Sequence, residues 1–85
     1  MRVLVVEDDG KLGPAIGAGL RAAGFAVDST GCRAGADLMV SVTSYDCVIA
    51  DRGLPDGDAL GLIRSWRRAG RTLPVLVLTA LAAVE

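Results

Sequence analysis

Three short apolar runs constrain this chain more than any other feature. Residues 2–6 read Arg-Val-Leu-Val-Val, residues 45–50 hold Cys-Val-Ile-Ala, and residues 74–79 hold Val-Leu-Val-Leu. Each is shorter than the roughly 10–12 residues of a buried helix, and the last two are too uniformly apolar for a strand with one wet face. Such strands are buried on both sides, in parallel sheets whose two faces are covered by helices. The intervening segments fit that demand. Leu12, Ile16 and Leu20, four apart, predict an amphipathic helix that starts after an acidic run and stops at Ala22-Ala23-Gly24. Phe25–Thr30 is a second strand, and residues 33–42 a second helix with Ala36, Met39 and Val40 on one side. Asp58 is placed to cap a third helix with Leu60, Ile63 and Trp66 inward and Arg64, Arg67, Arg68 and Arg71 outward. Ala80–Glu85 reads as the opening of a fourth helix. The order, strand then helix three times and then a strand, predicts an α/β fold with a doubly wound parallel sheet. Right-handed crossovers leave few arrangements of it.

Composition excludes several other classes. The 85 residues are 52% hydrophobic with a formal net charge of −1, the opposite of a disordered tail and no lure for nucleic acid. The apolar runs are cut by charge well short of the roughly 18 residues of a membrane span. The first run meets Glu7 too early for a secretory signal, whose apolar core is about 7–15 residues long. The expectation is a soluble, cytoplasmic domain with no membrane partner. With no histidine in the sequence, imidazole acid/base catalysis and imidazole metal ligands are excluded. Cys32 and Cys47 lack the spacing of a metal knuckle and are expected to be small buried thiols.

In an open parallel sheet, the site lies beyond the carboxyl ends of the strands. The residues there are Glu7, Asp8 and Asp9 after the first run, Asp51 after the third strand, and Thr79 ending the fourth. An acidic run after a strand often does no more than favour a helix N-terminus, and an acid before Gly53 and Pro55 is an ordinary turn residue. Three separate strand ends aiming oxygens at one spot are a different matter. Two carboxylates about 4 Å apart repel by roughly 4 kcal/mol at an effective dielectric near 20. Such crowding calls for a cation or a proton. An all-oxygen set with no imidazole or thiolate favours a hard cation, Mg²⁺ first.

These motifs resemble a known family. Val-Val-Glu-Asp-Asp at 5–9, Asp51 followed by Leu-Pro-Asp-Gly-Asp at 54–58, and Leu-Thr-Ala at 78–80 are similar to response-regulator receiver domains of two-component systems. The loop wording is closest to transcriptional regulators whose receiver precedes a winged-helix DNA-binding domain. The resemblance covers the whole chain in register and implies a flavodoxin-like sheet. It implies that Asp51 accepts a phosphoryl group from the histidine of a sensor kinase. Glu7, Asp8 and Asp51, with the Gly53 carbonyl, are implied to hold Mg²⁺. Asp9 is implied to cap the first helix. Thr79 is implied to hydrogen-bond the phosphoryl oxygens, while the small Ala80 leaves room for the group. Such a domain assists its own phosphorylation and is not a dedicated enzyme.

Against the family pattern, residues 1–85 are expected to form the N-terminal two-thirds of a receiver. The fourth helix would be only begun, and the fifth strand and helix absent together with a family lysine. Lys11 sits on the first helix and does not replace that lysine. DNA contact would come only through an effector domain outside this sequence. The exposed edge of the fourth strand would invite self-association. An alternative is a truncated interaction module that docks without being phosphorylated. A metal-dependent phosphatase ranks below it, because Gly53 stands where a second acid would be needed. A dinucleotide fold is excluded, since the first turn holds acids in place of a glycine-rich cradle.

Overall fold

The computed structural model describes residues 1–78. Its elements are β1 (Arg2–Val6), α1 (Leu12–Ala22), β2 (Ala26–Thr30), α2 (Arg33–Val42), β3 (Cys47–Asp51), a short hairpin of β4 (Gly53–Leu54) and β5 (Gly57–Asp58), α3 (Ala59–Arg68) and β6 (Val75–Leu78). The expected fourth strand is therefore β6. Four strands form a parallel sheet in the order β2-β1-β3-β6, with Val3 opposite both Val27 and Cys47, and Asp51 opposite Leu78. This is the doubly wound arrangement expected from the sequence.

The two-residue period of β1 divides the core. Leu4 and Val6 turn to one face, with Val48 and Ala50 of β3, and pack with Ala36, Ala59, Leu62 and Trp66 of α2 and α3. Val3 and Val5 turn to the other face, where Ile16 and Leu20 of α1 cover them together with Val27. No residue from Val3 to Val6 is more than 3% exposed, as a strand covered on both faces requires. Burial on both sides does not extend to β6. Leu76, level with Ile49 on the α1 face, is 56% exposed because no described residue covers it.

Three helical expectations need correction. In α1 the buried residues are Gly13 and Gly17, and Leu12 is 46% exposed. The helix meets the sheet through its backbone: a Cβ on Gly17 would lie 3.7 Å from Val27 Cγ1. In α3 the buried stripe is Ala59, Leu62 and Trp66, while Leu60 and Ile63 flank it half-buried. Positions 59, 62 and 66 fall on one side of a 3.6-residue helix, and Leu60 lies about 100° round from Ala59. Arg67 and Arg71 are not simply solvated. Arg67 donates to the carbonyls of Arg71 (3.0 Å) and Leu73 (2.9 Å), and half-buried Arg71 donates to Val40 O (3.0 Å). Both satisfy carbonyls near helix C-termini.

Both α1 and α3 stop in the same way. Gly24 (φ +99°) and Gly70 (φ +83°) take left-handed conformations after the last turn. Phe25 N–H then reaches back to Leu20 O, and Arg71 N–H to Trp66 O, the Schellman arrangement. Phe25 thus ends a helix and does not begin β2. The two cysteines are half-buried where full burial was expected. Cys32 sits at the N-cap of α2, where its Sγ accepts Gly35 N–H (3.4 Å). Among the described residues, no helix is long and apolar enough to cross a membrane.

Candidate functional site

Adjacent parallel strands bring their carboxyl ends together, and this alone creates the site. β1 and β3 are neighbours with Val6 level with Ala50, so the residues that follow, Glu7 and Asp51, emerge side by side. One carboxylate oxygen from each of Glu7, Asp8 and Asp51 lies within 4.8 Å of the others. Glu7 and Asp51 are half-buried and Asp8 is exposed. Burial pushes the Glu7 carboxyl above its ordinary value, and the charges of Asp51 and Asp8 push it further. Asp9 N–H, donating to Glu7 Oε2 at 3.1 Å, works the other way.

Asp9 stands apart from this cluster. Its Oδ1 accepts Leu12 N–H (2.9 Å) and Lys11 N–H (2.7 Å), which holds its carboxyl below the usual range and fixes it at the start of α1. The reading of Asp9 as a helix cap agrees with this geometry. Beside the cluster, an open cleft of about 400 Å³ runs between Glu7–Gly10 and Ser29–Gly31, where Glu7 N–H donates to Thr30 O (3.0 Å).

Gly53 lies two residues beyond Asp51 in β4, paired with Asp58, and is exposed. The turn-rich segment proves to be a hairpin, rooted by Leu54 in the core (8% exposed) and by Asp58. Asp58 caps α3 through Leu60 N–H (2.9 Å) and pairs with Arg52 (3.2 Å). Thr79 and Ala80 lie outside the described residues. The residue before them, Leu78, is level with Asp51 and accepts Arg52 N–H (3.1 Å).

The donor chemistry fits a hard divalent ion. An octahedral Mg²⁺ with bonds of 2.0–2.1 Å spaces its ligand oxygens by about 3 Å when adjacent and about 4 Å when opposed. The three oxygens, within 4.8 Å of one another, would draw together around such an ion or reach it in part through water. The group contains no softer donor that would select another metal.

Two contacts of the elements around the sheet were not anticipated. Asp56, at the tip of the hairpin, accepts backbone N–H groups from the first turn of α2, and Asp37 accepts Trp66 Nε1–H (2.9 Å). An Asp-Gly pair in a turn carries no local signal of a partner 23 residues away.

Known proteins are similar to this chain along nearly its whole length. The profile described as "Response regulator receiver domain" matches residues 3–85. The transcriptional regulatory protein QseB of Escherichia coli O157:H7 is 44% identical over 86 residues, covering 100% of this chain and 39% of that protein. The virulence transcriptional regulatory protein PhoP of Salmonella choleraesuis is 48% identical over 80 residues, covering 94% of this chain and 36% of that protein. The chain therefore spans well under half the length of these relatives. Among solved structures, the receiver domain of the Francisella response regulator 1452 superposes with a TM-score of 0.91 at 25% identity. It covers 98% of this chain and 69% of its own.

Proposed function

The chain belongs to the response regulator receiver domain family of two-component systems, related to the transcriptional regulators QseB and PhoP, and from that premise we propose that Asp51 is its phospho-acceptor. A carboxylate oxygen of Asp51 attacks the phosphorus of a phosphohistidine on a sensor kinase. The new O–P bond forms as the P–N bond breaks, and the electron pair leaves with the imidazole nitrogen. The observation that carries this reading is the convergence of Glu7, Asp8 and Asp51 within 4.8 Å from the ends of two adjacent strands.

Glu7, Asp8, Asp51 and the Gly53 carbonyl are the residues that would hold Mg²⁺. When bound, Mg²⁺ neutralises charge on the transferring group, the main requirement of phosphoryl transfer. Asp51 ends β3 half-buried, with its carboxylate beside those of Glu7 and Asp8. Asp9, engaged with α1, leaves the metal set to the other acids. By the family resemblance, Thr79 is the residue whose hydroxyl would donate to a phosphoryl oxygen, and the small Ala80 the one that would leave the group room.

We read residues 1–85 as the acceptor-bearing part of a receiver, acting in the cytoplasm. It relays phosphorylation to a DNA-binding effector like those of its regulator relatives, since added charge at the sheet's end biases the neighbouring surface. Among the described residues no strand pairs with the outer edge of β6, and a chain of residues 1–85 alone would pair there with a second copy. Incubation with Mg²⁺ and a small phosphodonor, read by intact mass, tests the acceptor role. A gain of one phosphoryl group that vanishes in Asp51→Ala supports it. No gain, with kinase binding retained, points to a docking module.

A further inference from the structure

The hairpin that carries Gly53 is tied to α2 by reciprocal contacts. Asp56 accepts Arg33 N–H at 2.8 Å and Ala34 N–H at 3.0 Å, so one carboxylate satisfies two of the N–H groups that open α2. Gly35 N–H goes to Cys32 Sγ (3.4 Å) and Ala36 N–H to Cys32 O (3.1 Å), which completes the first turn. Arg33 in turn folds back over the hairpin, and its Nη1 donates to Asp56 O at 3.4 Å. Its side chain packs so closely on Gly57 (φ +137°) that a Cβ there would run into Nη1. A Cβ on Gly61 of α3 would lie 3.3 Å from Nη2.

Gly53 has no such support. Among the described residues nothing lies within 4 Å of where its Cβ would be, so the pairing of Gly53 with Asp58 in the hairpin is what holds it. Leu54 and Asp58 fix the root of the hairpin, and Asp56 with Arg33 fixes its tip. We infer that Asp56 and Arg33 are positioning residues for the cation site, holding the hairpin so that the Gly53 carbonyl stands beside Glu7, Asp8 and Asp51. This inference rests on the reading of that cluster as a Mg²⁺ site. A merely structural role, capping α2, is the competing explanation.

Cys32 separates the two. Serine is a stronger N-cap than cysteine, so Cys32→Ser strengthens the start of α2 without restoring the tie to the hairpin. The experiment is a titration of the chain with Mg²⁺ alone, followed by amide chemical shifts, with melting temperatures measured alongside. Asp56→Ala is expected to weaken Mg²⁺ binding about 10-fold, the loss typical of a residue that orients a ligand. Asp56→Ala with Cys32→Ser is expected to recover melting temperature and not affinity. Affinity that returns with stability, or that never falls, overturns the inference. If Asp56→Ala does not fold or its stability is not recovered, Asp56→Asn decides. It keeps one acceptor and is expected to bind Mg²⁺ more weakly than wild type, and equal binding overturns the inference. A wild-type chain that does not respond to Mg²⁺ overturns the cation site itself and this inference with it.

Discussion

In an Asp8→Asn variant, one of the three crowded carboxylates becomes a neutral amide of nearly the same shape. Asp8 lies within 4.8 Å of both Glu7 and Asp51, so two repulsions disappear at once. Each amounts to about 0.9 kcal/mol at the dielectric of water and about 3.5 kcal/mol at an effective dielectric of 20. Because Asp8 is exposed, the lower figure applies, and screening with a Debye length near 8 Å reduces it further. Loss of a negative charge near the start of α1 offsets a few tenths of a kcal/mol. The net expectation is a cation-free chain about 0.5 kcal/mol more stable than wild type, a rise in Tm of roughly 2–4 °C for a domain of this size. Mg²⁺ reverses the order. At ten times its Kd the ion stabilises wild type by about 1.4 kcal/mol, and it leaves the variant nearly unchanged. Thermal unfolding in chelator and in Mg²⁺ reads both effects. A variant no more stable than wild type in chelator, or an equal Mg²⁺ gain in both proteins, refutes the account of the cluster.

Two glycines are expected to respond in opposite directions to alanine. Gly19→Ala, in the exposed interior of α1 with nothing within 4 Å, gains about 1 kcal/mol in urea unfolding. Gly35→Ala drives a Cβ into Thr30 Oγ1 and to 3.2 Å from Thr30 Cβ, and its overpacking cost of about 1–3 kcal/mol outweighs the helical gain. Stabilisation by both would contradict the packing of α2 against β2. Acid should weaken the fold through four carboxyls held below their ordinary value of 3.8. The N–H groups of Leu12 and Lys11 hold Asp9 there. Tyr45 O–H and Arg2 hold Asp28 there, the N–H groups of Arg33 and Ala34 hold Asp56, and Leu60 N–H with Arg52 holds Asp58. Their contribution is fully present above about pH 4 and is lost as pH falls through the folded values. Asp28→Asn with Asp56→Asn should therefore flatten the loss of Tm below pH 4, and an unchanged acid slope would count against these assignments.

Much of the fold was legible because parallel strands covered by helices need a nearly uniform composition, which the runs in β3 and β6 have. Two-sided burial is nonetheless complete over Val3–Val6 of β1 and only partial in those two. The site was legible for a related reason: acids at strand ends converge once the sheet order places β1 beside β3. What was hidden depended on helix rotation and distant partners. Leu12 and Gly13 are one residue apart, and only the close approach of α1 to Glu7 and to Val27 of β2 makes Gly13 and Gly17 the buried positions. Leu60 and Ala59 likewise exchanged roles once α3 settled on Trp66. Asp56 looked like a turn residue because its two partners lie on another element, brought near only by the finished fold. Leu76 departed from the expectation of two-sided burial for the same kind of reason, since burial depends on what packs above a strand as well as on the strand's own composition.

The most direct test of the central claim is to locate the phosphoryl group. After labelling with a small phosphodonor in Mg²⁺, fragmentation mass spectrometry of the chain assigns the modified residue. Modification is expected at Asp51 alone, abolished by chelator and strongly reduced in Asp8→Asn. A phosphoryl group on Glu7, Asp8 or Asp9, or labelling of Asp51 undiminished by chelator, would contradict it.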